Sequence, residues 1–308
     1  MPRKPLFKSK MQEWIEEMDA RMLSGKTIRT YRQRMNQNYD YARTHDWPMN
    51  PRLIAPGHIR EYYDSLQTKS SSTQLAKLGT LLRFLEWSGN ERCSKVRLRI
   101  QVSRTHVDWL TEEAVSRVLR TSPSPKVRAM ETCFALTGIR RSELVTLRLK
   151  DVKDREIVVR GKGRKERVIP INRTFWGWIT PYLLYREKLP QHDLFLVHRH
   201  GGVSKGYDEE SVTTALTRHG GTLGFRLTPH TLRRSFGRIL YKNGCPIGEL
   251  SVMFGHSSVE MTMRYLGIGI FDTSEAIDRY LPDFHLQAEQ ERRKVYLGTG
   301  SQLVPTTY

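Results

Sequence analysis

Four short stretches of the 308-residue sequence carry side chains suited to breaking a phosphodiester without a metal. ALTGIRRSEL (135–144) places Arg140 just after Gly138, on a turn where a helix can restart and present the side chain to a groove. GKGRKER (161–167) holds Lys162 between two glycines. TPHTLRRSF (228–236) sets His230 and Arg233 on one helical face. FGHSSVEMTMRYLG (254–267) puts His256 a short, fixed distance ahead of Tyr265.

Cleavage of a phosphodiester needs a nucleophile, cations for the extra negative charge on pentavalent phosphorus, and a proton for the leaving oxygen. A guanidinium stays charged and offers paired donors to non-bridging oxygens, so Arg140 and Arg233 suit the second task. A phenol ionises only near pH ~10, so Tyr265 must lose its proton during attack or have its phenolate stabilised by cations. His230 fits the role of base. Lys162, cationic but able to release a proton when crowded by other cations, fits the general acid for a departing 5′ oxygen, with Lys165 as its substitute if the hairpin register shifts.

Each piece alone has an ordinary reading: a surface arginine, a chance His-x-x-Arg pair, a core tyrosine, a plain hairpin turn. Their order and spacing in one basic chain are what point to shared chemistry. Tyr280 is a weaker nucleophile, with Asp278 near it and His256 far away in sequence. His198 and His200 form an H-x-H pair without a cysteine or acidic cluster, which reads as a loop at a strand end, so no metal and no cofactor are assigned.

Composition narrows the partner. Lys and Arg number 51 against 32 Asp and Glu, a net charge of +19, and both halves of the chain are basic. Such an imbalance favours a polyanion, with duplex nucleic acid foremost. The three cysteines (Cys93, Cys133, Cys245) show no paired spacing, which argues against a disulfide scaffold or a zinc knuckle and fits a reducing cytoplasm. No apolar run approaches the ~20 residues of a membrane span, and the basic start lacks a signal-peptide core. The expected place is the cytoplasm, beside the chromosome.

The elements that must position these groups follow from periodicity. Met11, Trp14, Ile15, Met18 and Met22, then Ile28, Tyr31, Met35 and Tyr39, recur at helical spacing, with Ser24-Gly25 between them. After a loop over 48–57, Ile59, Tyr62, Tyr63 and Leu66 mark a third helix. Leu75, Leu78, Leu82 and Leu85 mark a fourth, capped from 70–73. Arg29, Arg32, Arg34, Lys77 and Arg83 fall largely between the apolar positions, within reach of phosphates. KVRLRIQVSR (95–104), carrying Lys95, Arg97 and Arg99 and no acid, reads as a linker along a phosphate backbone. A second periodic region begins at 109–113, where Thr111 can cap a helix. EIVVR (156–160) and RVIPI (167–171) are strands joined by 161–165, where Arg164 adds a further cation. Residues 194–197 offer a third strand before helices resume beyond Asp208, with breaks at 220–221, 244–246 and Gly255.

The order T-G-I-R-x-x-E-L, G-K-G, H-x-x-R, G-H-S and a following tyrosine resembles the tyrosine recombinase (phage integrase) family, especially its Xer-like and integron-like branches. The likeness covers most of the second domain. In the first it is one of type, through SGKTIRTYR (24–32) and LGTLLRFLEW (78–87). Arg141 and Phe254 depart from the family's usual residues; Arg141 raises the question of which arginine faces the phosphate, and the spacing from Gly138 favours Arg140. Carried over by position, the resemblance implies that Tyr265 is the nucleophile, that Arg140, His230, Arg233 and His256 stabilise the scissile phosphate, that Lys162 protonates the 5′ oxygen, and that Glu143 supports Arg140 or its helix. It implies a 3′-phosphotyrosine, a free 5′ hydroxyl, and two rounds of exchange through a Holliday junction within a tetramer on a DNA recombination site, with accessory or host factors possible. No high-energy cofactor is needed.

The expected fold is therefore mainly α with a small antiparallel sheet, arranged as a two-domain C-shaped clamp. Its parts are a helical DNA-binding domain at 1–94, a basic linker at 95–106, a catalytic domain at 107–290 whose end would pack on a neighbouring subunit, and a flexible tail at 291–308. DNA affinity should fall by about 10³–10⁵ from low to moderate salt if six to ten phosphates are neutralised. Two other readings share part of the evidence: a type IB topoisomerase-like enzyme, and a DNA-binding regulator without catalysis.

Overall fold

The computed structural model describes residues 6–94, 96, 98, 108–161 and 166–268. The chain divides into two compact units between Thr105 and His106. Lys95, Arg97 and Arg99 of the basic stretch, Lys162, Arg164 and Lys165 between the strands, Tyr280 and the whole segment from 269 onward lie outside the described residues.

In the first unit, α1 (Leu6–Ala20), α2 (Gly25–Thr44), α3 (Pro56–Ser65), α4 (Ser71–Trp87) and the one-turn α5 (Glu91–Ser94) enclose an aromatic core. Ser24 starts α2 by accepting from the Thr27 N–H at 3.2 Å, and Ser70 does the same for α4 from Thr73 at 3.4 Å. Phe84 sits 5.0 Å from Phe7 and 5.6 Å from Trp14, ring to ring, so α1 and α4 are joined by tilted aromatic contacts.

The stripe on α4 is turned relative to the leucine pattern. Leu75 is exposed, while Gln74, Leu78, Leu81, Phe84 and Leu85 are buried. The reason is polar: the Gln74 amide donates to the carbonyls of Leu66 (3.0 Å) and Lys69 (3.1 Å), satisfying backbone acceptors beyond the end of α3 that would otherwise be stranded. Met22, expected on the α1 stripe, lies past the end of that helix and is exposed.

The second unit is mostly helical with two small antiparallel sheets. Its elements are α6 (Glu112–Thr121), α7 (Pro125–Thr137), α8 (Arg141–Thr146), β1 (Glu156–Arg160), β2 (Glu166–Pro170), α9 (Arg173–Glu187), β3 (Val197–His200), β4 (Val203–Gly206), α10 (Glu209–Leu223), α11 (Pro229–Lys242), α12 (Ile247–Phe254) and α13 (Val259–Leu266). The buried helix α7 packs against α9 and α11. β1 and β2 pair with Val158 opposite Val168, so Ile157, Val159 and Ile169 face the core.

Two expectations need correcting. Residues 194–197 do not add a strand to the first hairpin: Leu194 makes one isolated bridge to Arg148, and Val197 opens a separate hairpin, β3 with β4. The break expected at Gly220-Gly221 is absent, because α10 runs on to Gly224, which takes the left-handed conformation (φ 80°) that ends the helix. Gly220 is there for packing, since a Cβ would come within 2.5 Å of the Leu227 side chain. Among the described residues no helix is long and apolar enough to cross a membrane.

Candidate active site

Helix termini place nearly every described candidate. α7 ends at Gly138 in the left-handed region (φ 59°), and a Cβ there would lie 2.5 Å from the Phe236 ring, so only glycine fits. The chain then turns so that Arg140 is the N-cap of α8, its side chain partly exposed. Thr228 caps α11, whose first turns carry His230, exposed, and Arg233, buried. Gly255 ends α12 with φ 60° and delivers His256, while Ser258 caps α13, whose last turn holds Tyr265.

These elements bring the candidates together. The Tyr265 ring lies 5.5 Å from the His256 ring and 6.5 Å from that of His230, and the Arg233 guanidinium sits 5.7 Å over it. Arg140 reaches the same wall from α8, donating to the Gly255 carbonyl at 3.0 Å. Arg233 donates to the carbonyls of Gly138 and, at 3.0 Å, Phe254, which ties the turn before Arg140 to the turn before His256. Beside this wall is a cleft of about 710 Å³ lined by Arg140, Glu143, Arg160, Arg167 and His256 among others. The Tyr265 hydroxyl is buried and does not line that cleft.

Charge dominates the titration of the site. Burial, reinforced by Arg233, Arg140 and Arg167, pushes His256 down to about 4, so it is neutral near pH 7. Partial desolvation and the cations Arg234, Arg233 and Arg141 also lower His230. Burial lowers Arg233 to about 10, which still leaves it charged at neutral pH. Burial raises the Tyr265 phenol, and Arg233, Arg234 and Arg140 pull it back.

Glu143 is buried beneath the arginines. It accepts from the Arg140 backbone N–H at 2.8 Å and from the Arg140 guanidinium at 2.9 Å. Arg141, the neighbour that raised the question of register, turns away to Glu209 (3.0 Å) and Thr213 (2.7 Å) on α10, so Arg140 is the one that lines the cleft.

Three residues escaped the sequence reading. Arg167 on β2 grips Glu143 with both arms of its guanidinium. The available signal was strand alternation: Arg167 shares a face with Ile169 and pairs with buried Val159, which puts a cation on the inward side. Arg234 lies 5.3 Å over the Tyr265 ring. Thr262, fully buried on α13, meets His256 Nδ1 at 2.9 Å.

The nucleic-acid candidates of the first unit lie on α2 and α4, which pack on each other. Arg29 and Arg32 are exposed. Arg83 is exposed and donates to the Tyr31 hydroxyl at 2.6 Å, and Lys77 is half-buried. His198 packs against Tyr207 at 4.6 Å, ring to ring, on β3. Among the described residues no group of three or more His, Cys, Asp or Glu side chains is placed to hold a metal ion.

The turns of this helical unit gather two arginines and two histidines beside one tyrosine, groups suited to phosphoryl transfer. Residues 108–268 match the phage integrase family. The tyrosine recombinase XerA of Thermococcus onnurineus is 33% identical over 68% of this chain and 74% of its own length. The tyrosine recombinase XerC of Thermodesulfovibrio yellowstonii is 26% identical over 84% of this chain and 91% of its own. A crystal structure of the XerH site-specific recombinase bound to a palindromic difH substrate, a post-cleavage complex, superposes with a TM-score of 0.63 at 19% identity, covering 87% of this chain and 83% of that one. The chain belongs to the phage integrase family and is a tyrosine recombinase, an enzyme of site-specific DNA recombination.

Proposed function

We propose that this recombinase binds a duplex recombination site and cuts one strand by attack of the Tyr265 hydroxyl, leaving a 3′-phosphotyrosine and a free 5′ hydroxyl. The observation that carries this reading is the convergence of His230, Arg233 and His256 on the Tyr265 ring, beside a cleft that Arg140 and His256 line. The scissile phosphate would lie in that cleft. Arg140 and Arg233 neutralise the equatorial oxygens, their guanidinium groups already held in place by Glu143 and by the carbonyls of Gly138, Phe254 and Gly255.

His256 acts as a neutral hydrogen-bond donor. Its pKa near 4 keeps it uncharged, and we assign the tautomer in which Nδ1 accepts from the Thr262 hydroxyl beside it, which leaves the proton on Nε2 for a phosphate oxygen. His230, lowered by desolvation and its arginine neighbours, is free to accept the phenol proton. Lys162 protonates the leaving 5′ oxygen, and Glu143 holds Arg140. The buried Tyr265 hydroxyl must be uncovered for in-line attack, so engagement of DNA has to shift α13.

Attack by the 5′ hydroxyl of another strand reseals the backbone at no cost in external energy, because the phosphotyrosine keeps the bond energy of the diester. Two rounds through a Holliday junction within a tetramer exchange the duplexes. We assign 1–94 to DNA binding, 95–106 to a linker, 107–290 to catalysis and 291–308 to a tail, and place the enzyme on the chromosome in the cytoplasm. Arg29, Arg32, Lys77, Arg83, Lys95, Arg97, Arg99 and Arg164 supply phosphate contacts. The XerH complex with its difH substrate supports DNA of this kind as the partner.

The test is covalent trapping. Duplexes selected by binding from a randomised library are nicked beside each candidate phosphate and incubated with the protein, and denaturing gels read the adduct. Wild type should form an adduct that survives denaturation, at the same rate with or without EDTA. Tyr265→Phe should bind the same duplexes and form none; an adduct in that variant moves the nucleophile elsewhere, and loss of the wild-type adduct in EDTA overturns the mechanism.

A further inference from the structure

Arg167 holds together three parts of the second unit. Its two terminal nitrogens donate to both oxygens of Glu143, at 2.6 and 2.8 Å, and its Nε donates to the Met253 carbonyl at 2.9 Å. Its Cδ lies so close to Gly255 that a Cβ there would sit 3.1 Å from it. One side chain on β2 thus reaches the helix that Arg140 caps and the turn that delivers His256. β2 is also the strand that follows Lys162.

The charges make this contact more than a fastener. Glu143 is buried, with a side-chain exposure of 4%, and it touches two arginines. Arg140 gives it one guanidinium contact and one backbone N–H, whereas Arg167 gives it a bidentate pair. A buried carboxylate needs compensation. With Arg167 in place the compensation comes from β2, and the partly exposed Arg140 keeps charge for a phosphate. Without it, Arg140 alone would face the carboxylate, and the negative charge at the cleft wall would oppose the incoming diester.

We propose that Arg167 is a positioning residue for strand cleavage: it neutralises Glu143 so that Arg140 remains available to the scissile phosphate, and it fixes β2 to the turn that carries His256. This rests on the reading of the cleft as the phosphate site.

The experiment uses the full chain and the nicked, selected duplexes described above, with single-turnover adduct formation as the readout and thermal unfolding alongside. Arg167→Gln should slow adduct formation by about 10²-fold, at the lower end of what loss of one charge-stabilising group costs. Adding Glu143→Gln should restore at least tenfold of that loss, because the double variant removes the unpaired carboxylate together with its partner. Arg167→Lys, which keeps the charge without the fork and is the milder change for folding, should fall between wild type and Arg167→Gln.

A purely structural role, or a direct phosphate contact, predicts no rescue in the double variant, and that result overturns the proposal. So does an Arg167→Gln rate within twofold of wild type, or an Arg167→Lys variant that folds and is as slow as Arg167→Gln. Wild-type adduct that disappears in Tyr265→Phe keeps the reading of the cleft intact whatever the Arg167 series shows. Absence of adduct in wild type sinks that reading, and the Arg167 proposal with it.

Discussion

The two units treat polar groups in opposite ways. Among the described residues of the first, the buried polar side chains are neutral: Asn38, Gln74, Thr80, Ser88 and Asn90. Asn38 accepts from the Tyr62 hydroxyl at 2.6 Å and Asn90 donates to the carbonyls of Pro51 and Ile54, so these groups stitch helices and turns together. The second unit buries Glu131, Glu143, Asp151, His219, Arg233 and Arg238. Removing a charge from water costs several kcal/mol even after relaxation, so a fold that buries this many ionisable side chains is constrained by something besides stability. A unit that only grips a polyanion works with cations on its surface. A unit that stabilises charge developing on phosphorus needs cations fixed in a water-poor place, where fields are strong and no reorganisation is required.

The largest expected effects should therefore come from the second unit and appear in rate. Arg140→Ala should lower single-turnover cleavage by about 10²–10³ while leaving DNA affinity nearly intact. A variant that cleaves at a near-normal rate would remove Arg140 from the phosphate and erase the contrast between the units. One that loses affinity in proportion to rate would make the site a binding surface instead.

The same contrast explains what could be read in advance. Arg140, His230, Arg233, His256 and Tyr265 stand out in the sequence because each job demands a particular side chain, and the structure brings these five to one place. The support around them is less visible. Arg167 meets Glu143 across 24 positions of sequence and Met253 across 86, and such contacts leave no local pattern. Thr262 is an ordinary helical threonine until His256 is placed beside it. Helices were legible from apolar spacing, but the rotation of α4 depended on a glutamine amide answering carbonyls at the end of α3. The β3–β4 hairpin was missed because VHRH and VSKG carry little apolar alternation. Its signal was the Gly201-Gly202 pair, both at positive φ, which suits a tight two-residue turn.

Acid should separate the units next. His256 titrates near 4 in the folded chain against an ordinary value of about 6.5, so between those values the unfolded chain binds a proton that the folded chain does not. Stability of the second unit therefore falls as pH drops from about 6.5 to 4, and the lowered His230 acts in the same sense. Burial alone would raise Glu143, but hydrogen bonds and charge from Arg167 and Arg140 hold it at about 2; its contribution is present above the ordinary carboxylate value and is lost as pH falls from about 4 to 2. Glu131, raised by burial, works the other way and softens the loss. In the first unit Tyr62, pushed up to about 12, and Cys93 both move upward through burial and titrate on the alkaline side. Hydrogen exchange on stepping from pH 7 to 4 should show protection lost over 108–268 before 6–94. Simultaneous loss would mean that the buried charges do not set acid stability.

The smallest effects belong to the exposed arginines of α2, and they sharpen the comparison most because they should differ in kind. Arg29 and Arg32 are exposed on a helix that buries Ile28 and Met35. On the proposed reading, a guanidinium there acts through release of counterions from DNA. Removing it should leave the bound complex cleaving at its usual rate and lower the slope of log affinity against log salt by about 0.9 per lost phosphate contact. Arg29→Ala and Arg32→Ala, measured by titration at several salt concentrations and by single-turnover cleavage at saturating DNA, should each give that slope change, and the double variant about twice it. If the slope stays constant while cleavage slows, these arginines act on chemistry, and the division of labour between a surface that grips and a buried site that reacts does not hold.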